Sequence, residues 1–310
     1  MTTPSSHDRR VADSLPVTWV DQAPLAIRPY LRLARYDRPV GFWLLTLPCW
    51  FGLAAARLDT GLSWIDLYYA ALFAVGAVAM RGAGCTYNDI VDRDLDASVA
   101  RTADRPLAAG TVSVKNAWVF LLGQCLVGLG VLIQLPLAAI LTALAALGLV
   151  AAYPFMKRIT WWPQAWLGLT FNWGVPVAGA TALGSPFTAQ IILLYLASLF
   201  WTVGYDTIYA CQDKEDDALI GVKSSARALG RHVRAGVAVS YAGAAGLAAA
   251  AGVVAGAGLA FAAGFAVFAA HLFRQAAGFD PANGADCLAR FKSNRTAGLL
   301  LVGAFLLGGL

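Results

Sequence analysis

Long apolar runs recur along this chain, each about as long as a bilayer is thick, and they restrict the fold more than any other feature. A hydrocarbon core about 30 Å thick takes roughly 20 apolar residues as an α-helix. Nine such runs are read, at about 39–58, 63–87, 116–133, 136–154, 162–182, 187–206, 233–252, 256–273 and 295–310, separated by polar or turn-rich breaks. The Gly/Ala-rich character of 235–270 suits helices that pack closely through small residues. Composition closes the soluble alternatives: 59% of the 310 residues are hydrophobic and only 13% are charged, against roughly 25% charged in an average soluble domain. The five cysteines are odd in number and scattered, with no CxxC pair, so neither a disulfide framework nor a zinc site is indicated. The expected fold is all-α: a polytopic membrane helical bundle of about nine transmembrane helices.

The formal charge of +5 invites a nucleic-acid partner, but the positions of the charges dismiss it. Of the 23 Lys and Arg, 21 lie in the N-terminal arm and in every second loop, which nine spans place on one face. Arg57 falls in an opposite loop and Arg81 inside a span. The positive-inside rule makes the crowded face cytoplasmic and puts the C-terminus outside. Residues 1–38 form a polar arm without the apolar stretch of a signal peptide. Within it, Arg28 to Arg38, with Tyr30, Leu31, Leu33 and Tyr36, reads either as an interfacial amphipathic helix or as an arm that merely obeys the charge rule. Residues 39–310 read as a single transmembrane domain. The compartment is a bacterial inner membrane or its mitochondrial counterpart. Asp8, Asp13 and Asp21 in the arm argue against a transit peptide, so a multi-pass protein of the bacterial cell inner membrane is expected.

The acids are concentrated. Ten of the 18 sit in two cytoplasmic loops, after helices 2 and 6: Asp89, Asp92, Asp94, Asp96 and Asp104, then Asp206, Asp213, Glu215, Asp216 and Asp217. The interval of four helices suggests an internal repeat, with one acidic loop from each half. If the second span continues as a helix, Asn88, Asp92 and Asp96 share one face, as do Asp206, Asp213 and Asp217. Like charges so placed repel by a few tenths of a kcal/mol per pair or more, and a low-dielectric surround raises that. Something positive must offset it. Two facing carboxylate clusters suit Mg²⁺, a hard cation that takes oxygen ligands and bridges to substrate phosphates. A single Asp-rich loop would more simply be solvated; two with helical spacing on one face would not.

Arg81 sits two turns before Asn88 on the same face, and a charge at membrane depth usually faces a cavity. Arg101, Arg105, Lys157 and Arg158 flank the acids. Together with Mg²⁺ they could neutralise a diphosphate. His7, His232 and His271 are isolated, and none reads as a catalytic base. The Trp residues read as interface anchors, and Tyr87, Tyr153, Tyr205 and Tyr209 as packing beside the polar motifs.

At these residues the chain resembles the UbiA superfamily of intramembrane prenyltransferases. Its NDxxDxxxD motif is matched by Asn88, Asp89, Asp92 and Asp96, and its DxxxD motif by Asp213 and Asp217. The text of 35–53, 80–110, 153–174 and 205–230 is similar to the 4-hydroxybenzoate polyprenyltransferase branch. The resemblance implies that Asn88, Asp92, Asp96, Asp213 and Asp217 hold Mg²⁺. Arg105 and Lys157 would contact the diphosphate of a polyprenyl donor. Arg81 would meet the acceptor carboxylate or organise the acidic face. Asp92, Asp213 and Arg81 would carry the catalysis, and Asp89 and Asp206 fall within the motifs without a fixed role.

The implied reaction is transfer of the polyprenyl group to the ring carbon ortho to the hydroxyl of 4-hydroxybenzoate, a step of ubiquinone biosynthesis. Its partners are polyprenyl diphosphate, 4-hydroxybenzoate and membrane lipid, with no nucleic acid. Two rivals remain. One is a UbiA-type enzyme for another acceptor: homogentisate, dihydroxynaphthoate, haem or chlorophyllide. The other is a transporter, disfavoured because no acid falls mid-span in 116–182 or 233–273.

Overall fold

The computed structural model describes residues 14, 17–98, 102–214, 218 and 221–309. Among these every regular element is helical. A short helix α1 (Arg28–Leu33) leads to α2 (Val40–Ala56), α3 (Trp64–Val91), α4 (Arg93–Ala97), α5 (Val114–Leu132) and α6 (Leu137–Ile159). There follow α7 (Pro163–Phe171), α8 (Gly174–Leu183), α9 (Ala189–Ala210), α10 (Ser225–Leu229), α11 (Val233–Val254), α12 (Leu259–Gly278) and α13 (Gly284–Gly308). Six helical segments among the described residues are long and apolar enough to cross a membrane: α3, α5, α6, α9, the stretch Ser225–Val254 and α12.

Two expected runs differ in detail. The run at 162–182 is two helices, because Asn172 interrupts it. Its side-chain NH₂ lies 2.8 Å from the Gly168 carbonyl, 3.0 Å from the Ser198 carbonyl and 2.7 Å from the Thr202 hydroxyl. A side chain that takes the carbonyls a helix end leaves open favours a stop there. The run at 295–310 begins earlier, at Gly284, where Asn283 caps α13 by accepting from the Asp286 N–H. Its first turns carry Asp286, Arg290 and Lys292, so the helix begins before its apolar run does.

The chain forms two compact units, Met1–Trp43 with Ala74–Leu132, and Leu44–Phe73 with Ile133–Leu310. In the first, Leu33 of α1 is fully buried with Leu107, Val112 and Ala117, and Tyr30 meets Phe120 edge-on at 5.4 Å. The end of α1 places residues near α3. Ala34 caps it, the Arg35 N–H reaches Arg32 O at 3.0 Å, and the Tyr36 N–H reaches Leu31 O at 3.0 Å. This paired closure ordinarily puts Gly in the left-handed position. Here Arg35 occupies it at φ 63°, the one non-glycine at positive φ among the described residues. A side chain there costs roughly 1–2 kcal/mol.

In the second unit α9 is the core helix. Most of its apolar stretch is buried by protein, whereas little of α6 is. Gly204 permits the close approach of α11, since a Cβ there would stand 2.4 Å from the Tyr241 ring. Trp201 of α9 donates to Asn294 Oδ1 at 2.8 Å. Asn294 donates to Gln275 Oε1 at 3.1 Å, and Tyr241 donates to the same oxygen at 2.9 Å. This neutral clasp ties α9, α11, α12 and α13 together with its polar groups partnered. Arg57, the exception to the charge pattern, donates to Asp66 Oδ1 at 2.9 Å, so its loop carries a paired charge.

Candidate active site

The first acidic motif lies where α3 ends. The helix stops at Val91 and restarts at Arg93, with Asp92 at the junction. The helical register survives the break: Asp92 N–H reaches Asn88 O at 2.9 Å and Asp96 N–H reaches Asp92 O at 2.8 Å. Asn88, Asp92 and Asp96 therefore keep their four-residue spacing. Asp89, Asp92 and Asp96 are buried at 1%, 0% and 5% exposure, whereas Asp94 faces solvent. Solvated loop carboxylates would not be buried together, so the acids separate into a solvent-facing Asp94 and an enclosed row.

Two arginines balance the row. Arg105 donates to Asp96 Oδ2 at 2.7 Å and to Asp89 Oδ1 at 3.3 Å. Arg35 donates to Asp89 Oδ1 at 2.6 Å. Burial pushes the Asp96 carboxyl above its ordinary range; Arg105 pulls it back, and the neighbouring Asp89 and Asp92 push it further up. For Arg35, burial works against the charge, but Asp89, together with Cys85 and Asp37, more than offsets it and the guanidinium is held more firmly protonated than usual. Oδ2 of Asp89 is buried and has no hydrogen-bond partner.

Arg81 lies two turns before Asn88 on α3, half-buried, with its guanidinium against the backbone of Gly41. A Cβ at Gly41 would stand 2.5 Å from Arg81 Nε, so that glycine makes room for the arginine. Lys157 and Arg158 lie in the last turn of α6, where the Lys157 carbonyl accepts from the Lys223 N–H at 3.0 Å. Asp206 is half-buried on α9, which runs on as a tight turn, Cys211–Asp213. Tyr205 packs between Trp201 and Phe291, as expected of a packing aromatic. The side chain of Asp213, and all of Asp217, lie outside the described residues.

The structure thus brings Asn88, Asp92, Asp96 and Arg105 into one neighbourhood. Asp89 belongs to it more centrally than its place in the motif suggested. Arg35 was missed altogether, because its charge reads as one more positive residue of the arm. The signal that could have found it is its position after a short helix, where a glycine is normal. Among the described residues no three His, Cys, Asp or Glu side chains converge to hold an ion on their own. The first motif nonetheless offers side-chain oxygens, which suit a hard divalent cation, and one of them, Oδ2 of Asp89, is buried without a donor.

The profile of the UbiA prenyltransferase family matches residues 45–304. The chain belongs to that family. A rat relative named 4-hydroxybenzoate polyprenyltransferase, mitochondrial, is 46% identical over 294 residues, covering 94% of this chain and 77% of its own. The human protein of that name is 44% identical, with 94% and 78% covered, and the Arabidopsis one is 40% identical over 309 residues, with 98% and 75% covered. Likeness at this level over nearly the whole chain places it in the 4-hydroxybenzoate branch. Among solved structures, a UbiA homologue from Aeropyrum pernix superposes with a TM-score of 0.72 at 26% identity, covering 86% of this chain and 98% of the homologue. A UbiA homologue from Archaeoglobus fulgidus, solved bound to GPP and Mg²⁺, shares the fold with a TM-score of 0.65 at 19% identity, covering 91% and 100%.

These comparisons correct the expected location. The relatives are named as mitochondrial enzymes of animals and a plant, which overturns the bacterial inner membrane. That expectation rests on Asp8, Asp13 and Asp21 in the arm, and neither three acidic residues nor the charge asymmetry that orients a chain identifies which bilayer it enters. The multi-pass membrane character stands.

Proposed function

We infer that this chain joins the polyprenyl group of a polyprenyl diphosphate to the ring carbon ortho to the hydroxyl of 4-hydroxybenzoate. The products are 3-polyprenyl-4-hydroxybenzoate, on the route to ubiquinone, and diphosphate. The observation that carries the reading is the buried acidic row of Asp89, Asp92 and Asp96, balanced by arginines, in a chain 40–46% identical to enzymes of that name. A transporter has no need of a carboxylate row with this motif.

In this reading the domain is a single transmembrane unit over residues 39–310 with a polar arm at 1–38. The chain crosses the membrane nine times, with α7 and α8 together making one crossing, and the acidic segments follow the second and sixth crossings. Asn88, Asp92, Asp96, Asp213 and Asp217 supply the oxygen ligands for Mg²⁺. When bound, the cation supplies Lewis-acid stabilisation of the departing diphosphate. Arg105 and Lys157 neutralise diphosphate oxygens as the allylic C–O bond breaks and the electron pair leaves with diphosphate. Arg81 pairs with the acceptor carboxylate and so sets which ring carbon faces the allylic carbon. The electron-rich ortho carbon forms the new C–C bond, and the ring proton passes to Asp213 or to water. The apolar helices and lipid hold the isoprenoid tail. No side-chain nucleophile is required.

The test is to incubate membranes containing the chain with 4-hydroxybenzoate, a polyprenyl diphosphate and Mg²⁺, and to weigh the product. The expected mass is that of the acid plus the prenyl group less one hydrogen. No prenylated 4-hydroxybenzoate, together with prenylation of a different aromatic acceptor, would overturn the acceptor assignment.

A further inference from the structure

Arg35 occupies a position that backbone geometry reserves for glycine, yet its side chain is buried and fully engaged. It is 9% exposed, at φ 63°. One guanidinium nitrogen reaches Arg32 O at 3.2 Å, and another donates to Asp89 Oδ1 at 2.6 Å, across 54 residues of sequence. A strained backbone persists where the surrounding structure requires it, and such residues cluster at functional sites. The requirement here is visible in the carboxylate itself. Both arginines that reach Asp89, Arg35 and Arg105, bind the same oxygen, Oδ1. Oδ2 is left buried with no donor. An unpartnered carboxylate oxygen in a buried site is unfavourable unless something positive arrives to meet it.

We propose that Arg35 is a positioning residue: by anchoring Oδ1 of Asp89 it keeps Oδ2 out of the ion-pair network and presents it as a further oxygen ligand to the divalent cation of the first acidic motif. This rests on the reading of that motif as a cation site, and it adds Asp89 to the ligands. The arginine acts through the aspartate, as the partners behind metal ligands do when they fix ligand orientation. Arg105 also reaches Oδ1, at 3.3 Å, but the same nitrogen lies closer to Asp96, at 2.7 Å, so Arg35 makes the shorter contact with Asp89.

The test is Mn²⁺ binding, read by electron paramagnetic resonance, to the full-length chain purified in detergent, with the folded fraction measured by thermal melting. Arg35→Gly relieves the left-handed backbone while removing the guanidinium. Its expected Mn²⁺ affinity is about tenfold lower or more per folded molecule, within the range that such supporting partners command. Arg35→Lys restores one charge without the planar fork and should recover part of the affinity. Arg93→Ala, which removes an exposed arginine paired only with Asp94 in the described contacts, should bind Mn²⁺ as the parent does. A change below about threefold in Arg35→Gly overturns the proposal; so does an unchanged affinity in Arg35→Lys, should the glycine variant fail to fold. Asp92→Ala separates the two levels of argument. If it too binds Mn²⁺ normally, the cation reading itself fails and the role of Arg35 falls with it.

Discussion

The two segments that lead into the acidic motifs are held in opposite ways. At the end of α3 the scaffold is ionic: Arg35, from before α2, and Arg105, from the segment that follows α4, balance buried carboxylates. Along α9 it is neutral: Trp201, Asn294, Gln275 and Tyr241 exchange uncharged hydrogen bonds among packed aromatic rings. The difference follows from what each must hold. A row of like charges at low exposure demands counter-charges, whereas a core helix needs only a fixed rotation and depth, which amide and indole groups set without burying charge. Ionic support is therefore expected where function depends on charge, and neutral support where it depends on place.

The largest expected effect breaks the ionic side. Asp92→Ala should abolish turnover while the protein remains in the membrane at parental levels, measured as product formed per amount of chain in the membrane fraction. Full activity would contradict the assignment of the first motif. A middle-sized effect sharpens the neutral side. Asn294→Ala strands the Trp201 N–H and the Gln275 side-chain NH₂, while Tyr241 keeps its bond to Gln275 Oε1, and should lower stability by about 1–3 kcal/mol. A detergent melt with and without Mg²⁺ checks this, and the concentration of Mg²⁺ giving half-maximal activity should not move. A shift in that concentration would show that the two supports are not separable by function. The smallest effect is at Gly41, where Gly41→Ala crowds the Arg81 guanidinium. The long side chain can yield, so the expected outcome is a severalfold rise in KM for 4-hydroxybenzoate with kcat nearly kept. Equal losses in kcat and KM for the prenyl donor would place Arg81 elsewhere than on the acceptor.

Much of this architecture is legible in sequence because bilayer thickness and helix rise are fixed lengths. The runs near α3, α5, α6, α9 and α11 were found within a few residues for that reason. The start of α13 was not, because Asp286, Arg290 and Lys292 lower the apolarity of a helix that continues through them. The break at Asn172 was also invisible, since one amide among apolar neighbours barely alters hydropathy while rerouting three carbonyl and hydroxyl contacts. Within the site, the four-residue spacing of Asn88, Asp92 and Asp96 was legible because helical periodicity governs it. The pairing of Arg35 with Asp89 was not, because proximity across 54 residues is a property of folding that no local pattern encodes.

The unequal enclosure of the helices has a further consequence. With little of α5 and α6 buried by protein and most of α9 buried, a host membrane with longer or shorter fatty acids would press first on the two less buried helices. Adaptation to a new lipid composition should therefore be written in substitutions such as those at Leu126, Leu137 and Leu141, outward-facing residues, leaving the chemistry-bearing interior unaltered.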